Sequence, residues 1–328
     1  MFDPAFLPLL LAASAPVVWP DFGVVFDELT LSNGLVLDRQ SDPTTVSVAA
    51  TGFVAYAAAE QAVREGGDVE AVRERIRTGF RTTVLANPVE NRGWLSHFTE
   101  PHGEPKPWSE VSTIDTALFY MGMLRAAEVL RDPALAAEVH AWLSRIELEP
   151  AMRDGFFLHG FVVDPATGER RVIPHTWNDT SEGVILSRLF DKPFAPEIVR
   201  VDFPLFVYVY PLCFFDDEWY EQLLEQAVEH QLGRHGYFGV TATDGPYGYA
   251  VDDPLVVAPL LVAALADRFP QAGEVLRQFG VGPGVPAYHV ATGWRATDRI
   301  AIDFASAYLI SIRPRPGRPA AAFASVRD

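Results

Sequence analysis

The chain of 328 residues is 49% hydrophobic and 21% charged, which suits one large domain or two of ordinary size and argues against a disordered chain. Its formal net charge of −17 argues against nucleic acids and anionic lipid surfaces as partners, because their phosphates would be repelled, whereas a neutral or cationic ligand fits. The single cysteine, Cys213, excludes an intrachain disulfide, and its apolar surroundings, YVYPLCFF, predict a buried and inert thiol.

The first twenty residues are strongly apolar. Residues 5–18 resemble the hydrophobic part of a signal peptide and Ala13-Ser14-Ala15 resembles a cleavage site, but Asp3 stands where a positive charge is usual. We therefore expect residues 1–20 to form an apolar arm or an atypical signal-like segment, and we favour a cytoplasmic location over export. The segment is too short to span a bilayer, so no membrane insertion is expected.

Helix-start signals recur along the rest of the chain. Three Asp-Pro pairs, at 42–43, 132–133 and 253–254, each place a capping carboxylate before a proline at the first helical position, and an alanine-rich apolar stretch follows each pair. The first of these helices is expected to end at Gly66-Gly67. Further helical patterns cover residues 68–85, 109–130, 179–190, 216–232 and 299–312.

Only one stretch clearly predicts strands. Residues 155–175, GFFLHGFVVDPATGERRVIPH, hold two short apolar or alternating runs around a turn, which indicates a small β-hairpin. Strands and helices do not alternate elsewhere, so a doubly wound sheet is excluded and the fold class is all-α. We expect a single domain over residues 21–312 and a loose tail rich in proline and arginine over 313–328.

Several of the predicted helices are apolar over most of their surface and must be buried on more than one side. A ring of helical hairpins, with an inner layer of helices wrapped by an outer one, provides that environment. An irregular bundle provides it equally well, and the pattern does not choose between them.

Asp115 is unusual because it lies in the middle of a predicted apolar helix. Its neighbours on the same helical face are Val111, Ser112, Leu118 and Phe119. A carboxylate removed from water is costly unless it is paired or hydrogen-bonded. The placement therefore indicates either a chemical role or an aspartate that holds a neighbouring loop.

Four loop-to-helix stretches combine carboxylates with aromatic residues. Aromatic rings stack on the C–H face of a sugar, while carboxylates accept hydrogen bonds from its hydroxyl groups and transfer protons. Glycoside hydrolysis needs two such carboxyl groups across the scissile bond. The candidate residues are Trp94, His97, Trp108, Glu110 and Asp115; Trp177, Asp179 and Glu182; Asp216, Asp217 and Glu218; and Tyr237, Asp244, Tyr247 and Tyr249.

Each candidate also has a structural interpretation. Asp179 and Glu182 could form a capping box, Ser109 could cap its helix, and Asp244 could stabilise a turn. Asp216 could belong to the solvated first turn of a helix, and the tryptophans and tyrosines could be core residues. The eight histidines are scattered, and no HExxH, CxxC, GxSxG, P-loop or dinucleotide-binding pattern occurs, so no metal or cofactor is expected.

Taken in order, GLVLDR (34–39) with TTVSVAATGF, GWLSHF with SEVSTIDTAL, TWNDTSEGVIL, and GVTATDGPYGY resemble the glucoamylase-like domain of bacterial endo-β-1,2-glucanases and cyclic β-1,2-glucan synthases. The resemblance covers most of residues 22–312. It implies an (α/α)6 toroid with the substrate cleft at one end of the ring. It also implies hydrolysis of a β-glucan by an inverting route.

The resemblance also implies roles for individual residues. Glu182 would be the general acid and Asp244 the general base, while Glu110 and Asp115 would bind sugar hydroxyls or hold loops. Stacking surfaces would come from the aromatic residues of the same motifs. The full set of expected substrate-binding residues is Glu110, Asp115, Trp94, His97, Trp177, Tyr210, Asp216, Tyr237 and Tyr249.

Two stretches depart from the family pattern. A His-Gln-Tyr-Ser-His run before a Trp-Ile-Asp segment becomes YVYPLCFFD, which keeps Tyr210 and Asp216 but neither histidine. An Ile-Asp-Gln-Gly segment with a later glutamate becomes IDFASAYLISIR, which keeps Asp303 but not that acid. Three functions therefore stay open: a glycoside hydrolase acting on a glucan or oligosaccharide, a non-catalytic sugar-binding toroid, and a toroid of the lyase or epimerase class. The oligomeric state is not predicted.

Overall fold

The computed structural model describes residues 19–164, 166–178, 182–193 and 199–313. The predicted N-terminal segment, apart from its last two residues, and the predicted tail, apart from its first residue, lie outside these ranges, as does Asp179 of the predicted capping box. About half of the described chain is helical, so the prediction of a mainly helical fold is confirmed. The all-α class is wrong in one respect, because short strands form several small sheets.

The described residues contain eleven α-helices and twelve β-strands. The helices are α1 (Phe22–Leu29), α2 (Val48–Glu65), α3 (Val69–Ala86), α4 (Thr113–Val129), α5 (Pro133–Leu143), α6 (Glu182–Leu189), α7 (Phe206–Phe214), α8 (Glu218–His235), α9 (Pro259–Ala264), α10 (Ala272–Phe279) and α11 (Ala301–Ile312). The strands are β1 (Leu37–Arg39), β2 (Asp42–Ser47), β3 (Leu95–Ser96), β4 (Phe98–Thr99), β5 (Val111–Ser112), β6 (Met152–Arg153), β7 (Phe156–Val163), β8 (Arg170–Thr176), β9 (Thr243–Gly245), β10 (Gly248–Ala250), β11 (Val256–Val257) and β12 (Tyr288–His289).

The capping signals explain several helix ends. Asp132 accepts a hydrogen bond from the amide of Leu135, and Pro133 occupies the first turn of α5, as predicted. Asp68 caps α3 and Asp217 caps α8 in the same way. Helix α2 ends at Gly66, whose φ of 75° is the left-handed conformation that glycine adopts without strain.

The other two Asp-Pro pairs do not start helices. Asp42 lies at the start of strand β2, where its carboxylate accepts hydrogen bonds from the amide and hydroxyl of Thr44, and the β-branched residues that follow pair with β1 and β4. Asp253 closes a turn by binding the amide of Leu255, and α9 begins only at Pro259. In both places a local aspartate turn competes with the helix.

The start of α4 also differs from the prediction. Ser112 caps this helix, because its hydroxyl accepts a hydrogen bond from the amide of Asp115, and residues 111–112 form strand β5. The hydroxyl of Ser109, the predicted cap, accepts a hydrogen bond from the amide of Phe98 instead. Strand β5 lies between β3 and β7, and this pairing brings Glu110, just before β5, and Asp115, in the first turn of α4, to the candidate site.

The predicted hairpin is confirmed as β7 and β8, with Phe161 opposite Val172. Two further sheets matter for the site. Strands β1, β2 and β4 form one sheet, and β9 pairs with β10 through Asp244 and Tyr249.

The centre of the core is the crossing of α2 and α4. Every residue from 48 to 59 of α2 is buried, which confirms that this helix is enclosed on all sides. The helices approach so closely at Gly52 and Gly122 that a Cβ atom added to Gly122 would lie 2.1 Å from the carbonyl oxygen of Gly52. Phe80 of α3 stacks on Phe119 of α4 at 5.9 Å between centroids.

Cys213 lies on α7 and is fully buried, as predicted, and burial raises the pKa of its thiol to about 12. None of the helices in the described ranges is long and apolar enough to cross a membrane.

Candidate functional site

His97 lies between β3 and β4 at the centre of the candidate site. Its Nδ1 atom is 2.9 Å from Oε1 of Glu110, and its Nε2 atom is 3.4 Å from Oδ1 of Asp115. The imidazole ring stacks on Phe98 with 3.8 Å between centroids. The pairing of β3 with β5 produces this arrangement, because the amide of His97 donates to the carbonyl of Glu110 at 2.9 Å.

The position of Asp115 in an apolar helix is explained by these contacts. Its side chain lies in the first turn of α4, where the helix dipole favours a negative charge. The hydroxyl of Ser112 donates a hydrogen bond to the Asp115 carboxylate, and His97 supplies an opposite charge. Asp115 is only 8% exposed, so its carboxylate is desolvated but paired.

The pKa of His97 reflects its two carboxylate partners. Burial opposes a charge on the ring, but the attraction of Asp115 and the hydrogen bond with Glu110 outweigh burial and raise the pKa of His97 to about 9. The hydrogen bond with His97 in turn lowers the pKa of Glu110. His97 is therefore an imidazolium at neutral pH.

We expect this imidazolium to stabilise the fold in a defined pH range. Its folded-state pKa of about 9 exceeds the ordinary value of 6.5, so its contribution is complete below pH 6.5 and is lost as the pH rises through 9. An NMR titration should give a His97 midpoint near 9, and a His97→Gln variant should lose more stability, by urea unfolding, below pH 6.5 than above pH 9. A midpoint at the ordinary value would contradict the paired geometry.

A second group of charges surrounds Arg39, the last residue of β1. Its guanidinium donates to Oδ2 of Asp38 at 3.0 Å and to Oδ1 of Asp244 at 2.9 Å, and lies 4.0 Å from Oδ2 of Asp298. Arg39 and Asp244 are 205 residues apart in the sequence. The structure thus joins the beginning of the domain to the β9–β10 hairpin through an ion pair.

Asp303 of α11 lies beside the Arg39 group. Its Oδ2 atom accepts a hydrogen bond from the hydroxyl of Thr243 at 2.9 Å. Burial outweighs this hydrogen bond and, together with the charges of Asp244 and Asp38, raises the pKa of Asp303 to about 7. This carboxyl group therefore titrates near neutral pH.

Asp38 connects the His97 and Arg39 groups into one site. Its negative charge contributes to the raised pKa of His97 and to the raised pKa of Asp303. The pKa of Asp38 is itself raised by burial, against the attraction of Arg39 and His97. Carboxylates from β1, the loop before β5, α4, β9 and α11 therefore interact in one region.

Two tyrosines and Glu182 border the same region. Burial and then the charge of Asp303 raise the pKa of Tyr210, and Glu182, the first residue of α6, adds a smaller contribution. A cavity of about 20 Å³, enough for one water molecule, is lined in part by Tyr210 and Asp303. Tyr249 lies opposite Asp244 in the hairpin, where burial of its hydroxyl and the charges of Asp303 and Asp38 raise its pKa.

Trp177 follows strand β8 and contacts the first residue of α4. Its indole nitrogen donates to the hydroxyl of Thr113 at 3.0 Å, and its ring stacks on His159 at 3.6 Å between centroids. Burial, with a smaller effect of His175, lowers the pKa of His159 to about 4, so the stacked imidazole is neutral.

Two predicted stacking residues are buried in the core. Trp94 is 0% exposed, packs against Phe157 and Phe190, and donates to the carbonyl of Glu147. Tyr237 is 7% exposed and donates to the carbonyl of Pro254. Their burial is incompatible with the predicted stacking on a ligand.

Asp216 also differs from its predicted role. Its side chain is 82% exposed and lies 3.3 Å from Arg313, which corresponds to a surface ion pair.

Three members of the site were not predicted as site residues: Asp38, Arg39 and Asp303. They are charged residues in otherwise ordinary segments, and Arg39 and Asp303 acquire their roles through partners that are distant in sequence. For Asp38 and Arg39, the signal that could have identified them is their position in GLVLDR, a stretch that carries the resemblance. For Asp303, it is that this aspartate is kept in a segment that otherwise departs from the family pattern. Within the described ranges, no group of three or more potential ligand side chains is arranged to hold a metal ion.

No protein-family model matches the sequence, and no curated protein matches it either. Several solved structures match the fold of this chain. A candidate glucoamylase from Bacteroides uniformis ATCC 8492 is 15% identical with a TM-score of 0.69, and the match covers 88% of this chain and 90% of that one. A β-1,2-glucanase from Parabacteroides distasonis is 14% identical with a TM-score of 0.68, over 87% of this chain and 54% of that one.

An endo-β-1,2-glucanase from Chitinophaga pinensis, solved with sophorotriose and glucose, is 15% identical with a TM-score of 0.64, over 88% of this chain and 91% of that one. At these identities the similarity establishes the fold. The resemblance to the glucoamylase-like domain is thus confirmed at the level of the fold.

Proposed function

We propose that this protein is a glycoside hydrolase that acts on a β-glucan or a glucan-derived oligosaccharide by carboxylate acid–base catalysis. The observation that supports the proposal most is the convergence of carboxylates from five separate segments on the His97–Arg39 region. It occurs on a fold shared with β-1,2-glucanases. We further propose that the helices form an (α/α)6 ring and that residues 21–312 are one domain.

Glu182 is the proposed general acid. It would protonate the glycosidic oxygen as the bond to the anomeric carbon breaks, while a water molecule attacks that carbon from the opposite face and transfers its proton to a base. Glu182 is 8% exposed at the start of α6, where a carboxyl group can be held in a fixed orientation.

Asp244 and Asp303 together form the proposed base. Arg39 donates a hydrogen bond to Asp244, so this carboxylate is already engaged in an ion pair. Its negative charge contributes to the raised pKa of Asp303, about 7, which suits a base that operates near neutral pH. We therefore assign proton uptake to Asp303 and the electrostatic support of that uptake to Asp244.

This assignment predicts a specific pH dependence. The acidic limb of kcat/KM should have an apparent pKa near 7, because Asp303 must be ionised to accept a proton. An Asp244→Asn variant should shift this limb to lower pH, since one negative charge near Asp303 is removed and Arg39 is released. Profiles of reducing-sugar formation from pH 4 to 9 would measure the shift, and a limb that moved to higher pH would refute the coupling.

One observation favours the non-catalytic alternative. The ion pair between Arg39 and Asp244 occupies a carboxylate that the resemblance assigns to proton transfer. A sugar-binding protein could keep this pair permanently. A lyase is less well supported, because Arg39 and His97 are both bound to carboxylates and would not be available for a uronate.

The experiment that separates these functions is a reducing-sugar assay of the purified full-length chain on a panel of glucans that includes linear β-1,2-glucan. Release of reducing ends from one of them supports the hydrolase. Binding to a glucan without release supports the sugar-binding protein, and an unsaturated product absorbing in the ultraviolet supports a lyase.

A further inference from the structure

We infer that Trp108 is a sugar-stacking platform at the outer edge of the proposed site and binds a unit of a glucan chain beyond the bond that is cleaved. The inference rests on the proposed function and deepens it, because such a platform implies that the substrate is a polymer and not a short oligosaccharide.

The first argument is the exposure of Trp108. Its side chain is 64% exposed, although a large aromatic ring gains considerable free energy from burial. Exposed apolar residues that occur singly need no explanation. Trp108 is different because it continues a series of rings that begins inside the site.

Three aromatic rings contact one another in sequence, from His97 through Phe98 to Trp108. The His97 imidazole, bound to Glu110 and Asp115, stacks on Phe98 at 3.8 Å between centroids, and Phe98 contacts Trp108 at 5.3 Å. Both His97 and Phe98 are partly exposed. The stacking covers one face of His97 and one face of Phe98, whereas Trp108, at the exposed end of the series, offers ring surface that suits the C–H face of a pyranose.

The second argument is that the ring is held in place. Trp108 follows Pro107 in a turn closed by the amide of Ser109, which donates to the carbonyl of Lys106 at 2.9 Å. The turn is attached to Phe98 by two hydrogen bonds, from the amide of Lys106 to its carbonyl at 3.0 Å and from its amide to the Ser109 hydroxyl at 2.8 Å.

Lys106 anchors the turn further. Its side chain is almost fully buried and lies 3.0 Å from Glu100. A rigid, exposed ring loses little conformational entropy on binding, which is the property expected of a recognition platform.

The third argument is the adjacent acceptor. Glu110 follows Trp108 by two residues, and its pKa is lowered by the hydrogen bond with His97. One of its carboxylate oxygens is thus fixed by His97, and the other can accept a hydrogen bond from a sugar hydroxyl. Stacking and hydrogen bonding are then available to the same sugar unit.

The test compares a polymer with a short oligosaccharide. Turnover and binding of linear β-1,2-glucan and of sophorotriose are measured for the full-length wild type, Trp108→Ala, Trp108→Phe and the control Trp219→Ala. Trp219 is also an exposed tryptophan, at 39%, but its ring packs on Tyr220 of α8. Thermal unfolding of each variant verifies folding.

We expect Trp108→Ala to raise KM or Kd for the polymer about tenfold, which is the loss of roughly 1.4 kcal/mol of binding free energy. The kcat for the polymer and the constants for sophorotriose should stay unchanged. Trp108→Phe should recover part of the affinity, and Trp219→Ala should match the wild type.

If Trp108→Ala bound the polymer as tightly as the wild type, the inference about Trp108 would be overturned. The proposed function would still stand as long as the wild type hydrolysed the glucan. Equal losses for the polymer and sophorotriose would also overturn it, because Trp108 would then act inside the site. The wild type could bind the polymer without cleaving it, and Trp108→Ala could weaken binding of the polymer but not of sophorotriose. That result would support the platform and refute the hydrolase. A wild type that neither binds nor cleaves any glucan of the panel would overturn both the platform and the hydrolase.

Discussion

Glu182→Gln lowers the kcat for the hydrolysed glucan by about 10²- to 10⁴-fold, the range that general acid–base groups contribute. Glutamine has nearly the same shape as glutamic acid but cannot donate a proton to the leaving oxygen. The substrate would still bind, so KM should change little. Initial rates of reducing-sugar release, measured at several substrate concentrations, separate the two constants.

The matched control is Glu138→Gln on α5. Glu138 makes a surface ion pair with Arg81 at 3.0 Å, and such pairs contribute at most about 1 kcal/mol. This variant should keep the wild-type rate. Activity that survived Glu182→Gln unchanged would remove Glu182 from the acid role.

Gly122→Ala should have the largest effect on stability. A Cβ atom at this position would lie 2.1 Å from the carbonyl oxygen of Gly52, so α2 and α4 would have to separate. Overpacking of a core usually costs about 1–3 kcal/mol, and here the obstacle is backbone, which cannot change rotamer. We expect a loss of about 3 kcal/mol or more, a large fraction of the roughly 5–15 kcal/mol that stabilises a typical domain.

Urea unfolding followed by circular dichroism measures this loss. Gly233→Ala is the control, because Gly233 lies within α8 and a Cβ atom there meets nothing within 4 Å. Alanine at that position should be neutral or should stabilise the helix by about 0.5–1 kcal/mol. If the two alanine variants were equally stable, the close approach of α2 and α4 would be wrong.

The helices were predictable from the sequence where capping and burial agreed. Asp132-Pro133 starts α5 because Asp132 still caps the helix while it also binds Arg77. Asp42-Pro43 carries the same signal, but Thr44 captures the carboxylate and the following residues pair with neighbouring strands. Strands of two or three residues, such as β3 and β5, are too short to give a periodic pattern, so they could not be predicted.

The site was predictable only in part for a similar reason. Asp115 stood out because an aspartate in an apolar helix is locally anomalous, whereas Arg39 and Asp303 are unremarkable until the fold brings Asp244 to them. Trp94 illustrates the opposite error. An aromatic residue near acids resembles a binding surface in sequence, and only the packing around Phe157 identifies it as core.

The contacts of Arg39 also show how segments that are distant in the sequence depend on one another. Besides binding Asp244 and approaching Asp298, the β1 region is tied to the backbone near the other end of the domain, where Gln40 donates to the carbonyl of Arg299 at 3.0 Å. Strand β1 is therefore joined both to β2, which follows it directly in the sequence, and to residues more than 200 positions further along the chain. A chain that lacks residues 298 and 299 lacks two of the partners that surround Arg39 and Gln40. Competence for the proposed reaction therefore requires that segments far apart in the sequence have closed around Arg39.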